Sequence, residues 1–438
     1  MVTSKIIVAW ICSFSNEKVR TNLRYRRDYV GSFLSRLKGR AIGGSTDSAI
    51  WNSNAIEEFE KMEDVELHVI CPVRHLASPR TDYEEKGVHY HFFREQNSSV
   101  IRFVLHQLIT KHTSRYRKNR YVVSQIIKEI KPDLVHVIGA ENPFYSLALL
   151  DVPDSIPTII QLQALLTRLV SITKDQDEKV SFYYKGLVER EIIKKADYIG
   201  TPLADFRDFI LKNIKPDAIF LDIALAMAQK VNLDPVEKEF DFVYFASNIN
   251  KAGLEAIESF IIAHQKRPHI TLDIVGGYDA DYKRRIDERL EATHTTDAVT
   301  FEGRLPSHDD VIHQIRKSRF ALLPLKMDYI PNTLKEAMAN GLPVVTTKTD
   351  GTPALNDVVE SVLLSEQDDF QAMADNMILL MDNEELQCKL TRNAATVVND
   401  GMSNFERMEK WRITYYACID EFKRKRSIYD DDSSSLKR

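Results

Sequence analysis

The run from Ala321 to Asn356, ALLPLKMDYIPNTLKEAMANGLPVVTTKTDGTPALN, constrains the fold more than any other part of the chain. Phe320 to Leu325 is a short apolar run of the kind that forms a buried parallel strand. A Pro-containing loop, DYIPNT, follows, and then a short helix, LKEAMAN, that stops at Gly341-Leu342-Pro343. Pro343 to Thr347 reads as a second strand, with Gly351-Thr352-Pro353 as the turn leading away. Strand, loop, helix and strand in this order make one unit of a doubly wound parallel sheet. Its helix begins where a strand ends, which is where such sheets bind ligands. The N–H groups of Asn332, Thr333 and Leu334 have no carbonyl one turn back, and the helix dipole favours an anion beside them. Thr333 and Glu336 also spell T-x-x-E, a capping box that needs no ligand.

A chain of 438 residues is long enough for two or three domains. The net charge of −5 argues against a general affinity for nucleic acid. Cys12, Cys71, Cys388 and Cys418 are scattered with no C-x-x-C pair, which predicts a reducing, cytoplasmic setting and no structural zinc. No apolar run reaches the roughly 18 residues of a membrane span. The opening MVTSKIIVAWICSF has one Lys and no small-residue cleavage site, so Ile6 to Ile11 is expected to be a first strand rather than a signal peptide.

Further strands are expected at Val65 to Val73, Val88 to Phe93, Leu134 to Ile138 and Thr158 to Leu166 in the first half. Phe240 to Ala246, Ile270 to Gly277 and Val299 to Leu305 follow in the second. The polar PVEKE, Pro235 to Glu239, marks a boundary. The expected organisation is residues 1–234, a first Rossmann-like domain; 235–403, a second Rossmann-like domain; 404–425, a long amphipathic helix carrying Trp411, Tyr415 and Tyr416; and 426–438, a disordered tail.

Several side chains admit two readings. Residues 18–40 and 101–131 are basic and interleaved with aromatic and aliphatic residues, which suits either solvated helices or a surface meeting anionic lipid. His89 and His91 share a strand face and could ligate a metal, but no third ligand lies in the local sequence, so a plain strand is expected. Asp279 and Asp281 precede a helix and read as cap charges rather than a metal pair. Glu141 ends a central strand, where it either orients an acceptor hydroxyl or complements the dipole of the helix opened by Pro143.

The order D-YIPNTLK-E-AMA-NG-L-P-V-V resembles the family 4 retaining glycosyltransferases of GT-B fold, whose sugar-nucleotide site carries E-x(7)-E, an E-A-M-A helix and a G-x-P-V-V strand. Asp328 stands in the place of the first Glu. The resemblance implies two doubly wound α/β domains facing a cleft, with 1–234 on the acceptor side, 235–403 binding the sugar nucleotide, the 404–425 helix crossing back to the first domain, and a nucleoside-diphosphate sugar as donor. It implies that Glu336 holds ribose hydroxyls and that Asp328 touches the donor sugar. The amides of Pro331-Asn332-Thr333-Leu334 would face the diphosphate, and Lys251 in ASNINKAG would be its cation. Gly303-Arg304-Leu305 would lie beside the base. On the acceptor side it implies Glu141, with Gln161 or Gln163. Glu141, Lys251, Asp328 and Glu336 are thus the catalytic candidates. No metal or other cofactor is implied.

The activity this predicts is transfer of a sugar, with retention, to a hydroxyl of a glycan or lipid-linked saccharide in surface polysaccharide synthesis. The enzyme would be cytoplasmic or peripheral on the inner face of the plasma membrane. A sugar-nucleotide epimerase or hydrolase, a non-catalytic glycosyltransferase-like partner and a basic-surface binding protein are the alternatives.

Overall fold

The computed structural model describes residues 5–26, 47–95, 115–172, 176–226, 231–249, 252–326, 331–349, 351–399 and 403–435. The chain divides into two compact units. The first comprises Met1–Gly31, Ser48–Ala226 and Ser403–Arg438; the second comprises Ser32–Asp47 and Met227–Met402.

Among the described residues the first unit is built on an eight-stranded sheet. Its strands are β1 (Ile6–Ile11), β2 (Val65–Val73), β3 (Arg80–Glu85), β4 (Val88–Arg94), β5 (Leu134–Ile138), β6 (Thr158–Gln161), β7 (Tyr198–Gly200) and β8 (Ile219–Leu221). Their spatial order is β3-β4-β2-β1-β5-β6-β7-β8. Every neighbouring pair is parallel except β3–β4, an antiparallel pair at one edge. The central strands are buried on both faces, which is why β1 reads as an unbroken apolar run and β5 as one interrupted only by His136. One face packs on helices Arg117–Ile130, Gln176–Lys195 and Ala204–Asn213. The other packs on helix Ile50–Phe59 and on the C-terminal helix, Asn404–Ser435.

That last helix buries Met408, Trp411, Tyr415, Cys418 and Ile419. These positions recur at helical spacing and form one apolar stripe. The Trp411 indole N–H donates to the Ala224 carbonyl at 2.8 Å, and the Tyr416 hydroxyl to the Asp64 carbonyl at 3.0 Å. The helix continues to Ser435, through residues expected to be a disordered tail. A polar composition rules out a packed core, but not a helix extending from a packed one.

Among the described residues the second unit carries a six-stranded, all-parallel sheet of order β11-β10-β9-β12-β13-β14. Its strands are β9 (Phe240–Asn248), β10 (Leu272–Gly277), β11 (Val299–Gly303), β12 (Ser318–Leu323), β13 (Val344–Thr347) and β14 (Leu363–Ser365). Residues 231–234, expected at the end of the first domain, lie on this unit together with 235–239. The cause is backbone pairing: Asn232 N–H donates to Ala339 O at 2.7 Å and Glu239 N–H to Lys317 O at 2.7 Å. The Arg316 guanidinium adds a bond to the Asp234 carbonyl at 2.6 Å.

Candidate functional site

In the second sheet the chain runs outward from β9 to β10 and β11, then returns to β9's other side with β12. The β9–β12 pair is therefore the point where strand order reverses, and its C-terminal edge forms a crevice. Two helices start there, Gly253–Lys266 after β9 and Asn332–Ala339 after β12.

Their N-termini differ. At the first, the Tyr244 hydroxyl accepts from Ala252 N–H at 3.2 Å and the Tyr282 hydroxyl from Leu254 N–H at 2.9 Å. At the second no side chain caps the helix. Pro331, extended at φ −70° and ψ 154°, is the cap residue, so the helix begins at Asn332 rather than Leu334. Thr333 therefore lies inside the first turn, and the T-x-x-E capping box does not form. Pro331 O accepts from Leu334 N–H at 3.2 Å, so the expectation that this amide is free is corrected. Among the described residues, Asn332 and Thr333 keep N–H groups with no acceptor.

The frame around them is fixed. Thr347, at the end of β13, takes the Leu325 N–H at 2.7 Å and donates its hydroxyl to Leu325 O at 2.6 Å. Gly276 at the end of β10 has φ +144°, and a Cβ there would sit 2.1 Å from Ala246 O on β9. Glycine thus lets β9 and β10 converge at the crevice. Gly303 has φ +69°, with open space where a Cβ would be. Arg304 is exposed, and its guanidinium donates to Ser247 O at 3.2 Å, passing Gly277. Leu305, Pro331, Asn332 and Thr333 are half-buried, whereas the Leu334 side chain is in the core.

Glu336 is 7% exposed. Burial pushes its carboxyl up to about 7. His308, the first residue of helix His308–Ile315, places Nε2 3.7 Å from Glu336 Oε1. Burial lowers the His308 imidazole, against the opposing pull of Asp309 and Asp47, and among the described residues its Nε2 has no hydrogen-bond partner. Lys326, just past β12, meets Glu255 Oε1 at 2.5 Å. Neither His308 nor Lys326 stands out in the sequence: the first depends on how its helix docks, and the second is an ordinary strand-end lysine. Lys251 and Asp328 lie outside the described residues.

In the first unit, Glu141 follows β5. Its Oε1 accepts from Asn142 Nδ2 at 3.0 Å, and its buried Oε2 has no partner among the described residues. Burial, reinforced by neighbouring Glu189, pushes this carboxyl up to about 7. Gly139, at φ +98°, leaves the space the Glu141 carboxylate occupies. Gln161 is 1% exposed. Its amide lies over Gly200 and donates to Ile223 O at 3.1 Å, so it braces the core rather than facing an acceptor. Gln163 is half-buried in the loop after β6.

Residues 229–397 match the family model described as glycosyl transferases group 1. A 127-residue stretch is 32% identical to the provisionally named colanic acid biosynthesis glycosyltransferase WcaL of Salmonella typhimurium, covering 27% of this chain and 31% of that protein. A 150-residue stretch is 27% identical to an uncharacterized glycosyltransferase of Haemophilus influenzae, covering 34% and 40%. The chain thus spans well under half the length of these relatives. In structure it resembles sucrose-phosphate synthase of Thermosynechococcus elongatus, with TM-score 0.71, 13% identity, and coverage of 95% of this chain and 100% of that one. It also resembles the α,α-trehalose 6-phosphate synthase of Burkholderia multivorans, with TM-score 0.61, 13% identity, and coverage of 97% and 100%. Residues 229–397 thus match the glycosyl transferases group 1 model, and the chain as a whole has the two-unit α/β architecture of the GT-B fold.

Proposed function

We propose that this protein is a retaining glycosyltransferase that moves a sugar from a nucleoside-diphosphate donor to a hydroxyl acceptor. The observation carrying this reading is the pair of unclaimed N–H groups of Asn332 and Thr333, at the strand-order reversal of the matched domain. The difficult step in such a transfer is departure of a doubly charged diphosphate. Amides fixed in place before that charge develops stabilise it without reorganising. Lys251 supplies the opposing cation, with Lys326 as a second cation at the same sheet edge. Asp328 contacts the donor sugar. Glu336 accepts the ribose hydroxyls, and Gly303-Arg304-Leu305 borders the base. On the acceptor side Glu141 is the carboxyl that orients the attacking hydroxyl. Similarity to a protein named for colanic acid biosynthesis supports surface polysaccharide, or its lipid-linked precursor, as the acceptor class.

Anionic lipid is the surface proposed for the basic segments, of which residues 27–40 and 101–114 lie outside the described residues. In the described part, Arg115 pairs with Glu191 and Arg120 with Asp151, each at 2.5 Å. Sedimentation with anionic vesicles at varied salt tests this, and absence of binding at low salt removes the lipid surface from the proposal.

The transfer itself is tested by screening UDP-, GDP- and ADP-sugars for a rise in melting temperature, since a bound donor stabilises by mass action. The responding donor is then used in a transfer assay with Glu336→Gln and Lys251→Ala. Unchanged transfer by both variants, or no stabilisation by any donor, overturns the site assignment.

A further inference from the structure

The sequence shows two histidines alternating on one strand with no third ligand nearby. The sheet supplies the missing groups from the adjoining strands. In the β2–β4 register His68 lies opposite His89, and in the antiparallel β3–β4 register Asp82 lies opposite His91 and Glu84 opposite His89. Strand alternation therefore turns Glu66 and His68 of β2, His89 and His91 of β4, and Asp82 and Glu84 of β3 onto a single face. The His68 ring stacks on both His89 and His91, with centroids 4.5 and 5.3 Å apart.

The contacts form a line. His91 Nδ1 lies 2.8 Å from Asp82 Oδ1, His91 Nε2 lies 3.0 Å from His68 Nδ1, and His68 Nε2 lies 3.1 Å from Glu66 Oε1. Every atom in this line is an acceptor unless it carries a proton. Three contacts therefore need three bridging positive centres. Two neutral imidazoles carry two protons. With His91 Nδ1–H donating to Asp82 and His68 Nδ1–H donating to His91, the unbridged contact is His68 Nε2 against Glu66 Oε1. His89 Nε2 lies 3.8 Å from the same carboxylate oxygen. The ligating atoms of Glu66, His68 and His89 all fall within 4.8 Å of one another. A cation with bonds of about 2.0–2.2 Å to nitrogen and oxygen suits this spacing.

We propose that Glu66, His68 and His89 bind a divalent zinc-type cation at the edge of the first unit's sheet. The donor set is two imidazoles and one carboxylate, a mixture favoured by zinc over hard cations. Each imidazole has an outer partner for its other nitrogen. His68 leans on His91, itself held by Asp82, and His89 Nδ1 lies 3.7 Å from Glu84. Such partners set tautomer and ring orientation at metal sites. The second Glu66 oxygen faces Lys5 at 3.6 Å. Arg80, joined to Asp82 and to Glu129 of helix Arg117–Ile130 at 2.8 Å each, completes the charged surroundings. The side chains of Glu66 and His89 are 30% and 31% exposed, so the fourth position opens to solvent.

The test is a titration of the full chain, stripped by chelator, with Zn2+ in competition with an indicator dye. Co2+ serves as an optical reporter of a low-symmetry N/O site. One equivalent should bind with micromolar or tighter affinity, raise the melting temperature and weaken as pH falls through the histidine range. Glu66→Gln and His89→Gln, partly exposed and isosteric or nearly so, should each lose at least about 10-fold in affinity while keeping the metal-free melting temperature. His91→Gln should lose about 10-fold as an outer partner. His269→Gln, outside the cluster, should leave binding unchanged. Failure of the parent to bind Zn2+ at 100-fold excess would leave the cluster a proton site only and overturn the proposal. Equal binding by the parent, Glu66→Gln and His89→Gln would do the same.

Discussion

His308 Nε2 lies 3.7 Å from Glu336 Oε1, in a setting where burial disfavours charge on both. The distance is longer than a hydrogen bond, so the imidazole neighbours the carboxyl without tying it down. A carboxyl kept close to neutrality and, among the described residues, held by no hydrogen bond is available to polar groups of a ligand. Accepting two hydroxyls requires its ionised form, and its value of about 7 places that ionisation in the physiological range. Donor affinity should therefore rise as pH increases from about 6 to about 8. Glu336→Gln should bind about 10-fold more weakly at pH 8 and lose the pH dependence, as read by isothermal titration of the responsive nucleotide sugar.

The same carboxyl should set the stability of the second unit. Its folded value lies above the unfolded one, so its favourable contribution is full below about 4.5 and is lost as pH rises through about 7. Glu336→Gln has no charge to bury. It should exceed the parent in stability by about 3 kcal/mol at pH 8, with little difference at pH 4, in urea unfolding without ligand. A variant that binds worse and folds better would mark Glu336 as a group kept for a ligand.

Tyr415 is expected to anchor the C-terminal helix. Its hydroxyl accepts from the Trp10 indole at 2.9 Å and donates to His136 Nδ1 at 2.7 Å. Tyr415→Phe leaves both partners buried without a bond and should cost about 1–3 kcal/mol in the first unit. A fall in melting temperature confined to that unit's transition is the expected result.

His136 adds an acid limb. Full burial holds its imidazole down to about 3, so the fold refuses a proton that the unfolded chain takes up near 6.5. Its contribution is complete above about 6.5 and is lost as pH falls towards 3. Between pH 7 and pH 5 the parent should lose about 2 kcal/mol more than His136→Phe, measured by urea midpoints at each pH.

Two glycines should respond differently to alanine. At Gly276 a Cβ would collide with Ala246 O at 2.1 Å, and the φ of +144° is one that other residues rarely adopt. Gly276→Ala should cost at least about 2 kcal/mol and spread β9 from β10 at the crevice. At Gly303 the space is open, so Gly303→Ala carries only the left-handed penalty, about 1–2 kcal/mol. Paired unfolding curves separate the two.

Elements made of contiguous residues were readable from composition and spacing. The β12-helix-β13 unit, the apolar strands and the Trp411–Tyr415 stripe all follow from local periodicity. What escaped depends on distant partners or on a single torsion. Pro331 moved the helix start by two residues and turned Leu334 N–H inward, though T-x-x-E is an equally valid start locally. Gln161 is assigned to an acceptor by resemblance alone, but it ends β6, and Gly200 opens a space that draws its amide into the core. His68 joins His89 only through strand register, which no local pattern in either segment encodes. His308 meets Glu336 for the same kind of reason.

The first unit takes its last core residues from the end of the chain, Met408 to Ile419, with the whole of 227–402 inserted ahead of them. During synthesis, therefore, the second unit, whose described strands are complete before residue 403, has all its own partners first. The eight-stranded sheet must wait on the ribosome with Trp10 and His136 uncovered until the final helix emerges. Release of a chain stopped near residue 403 would free a protein whose downstream half is finished and whose upstream half is exposed to chaperones and proteases.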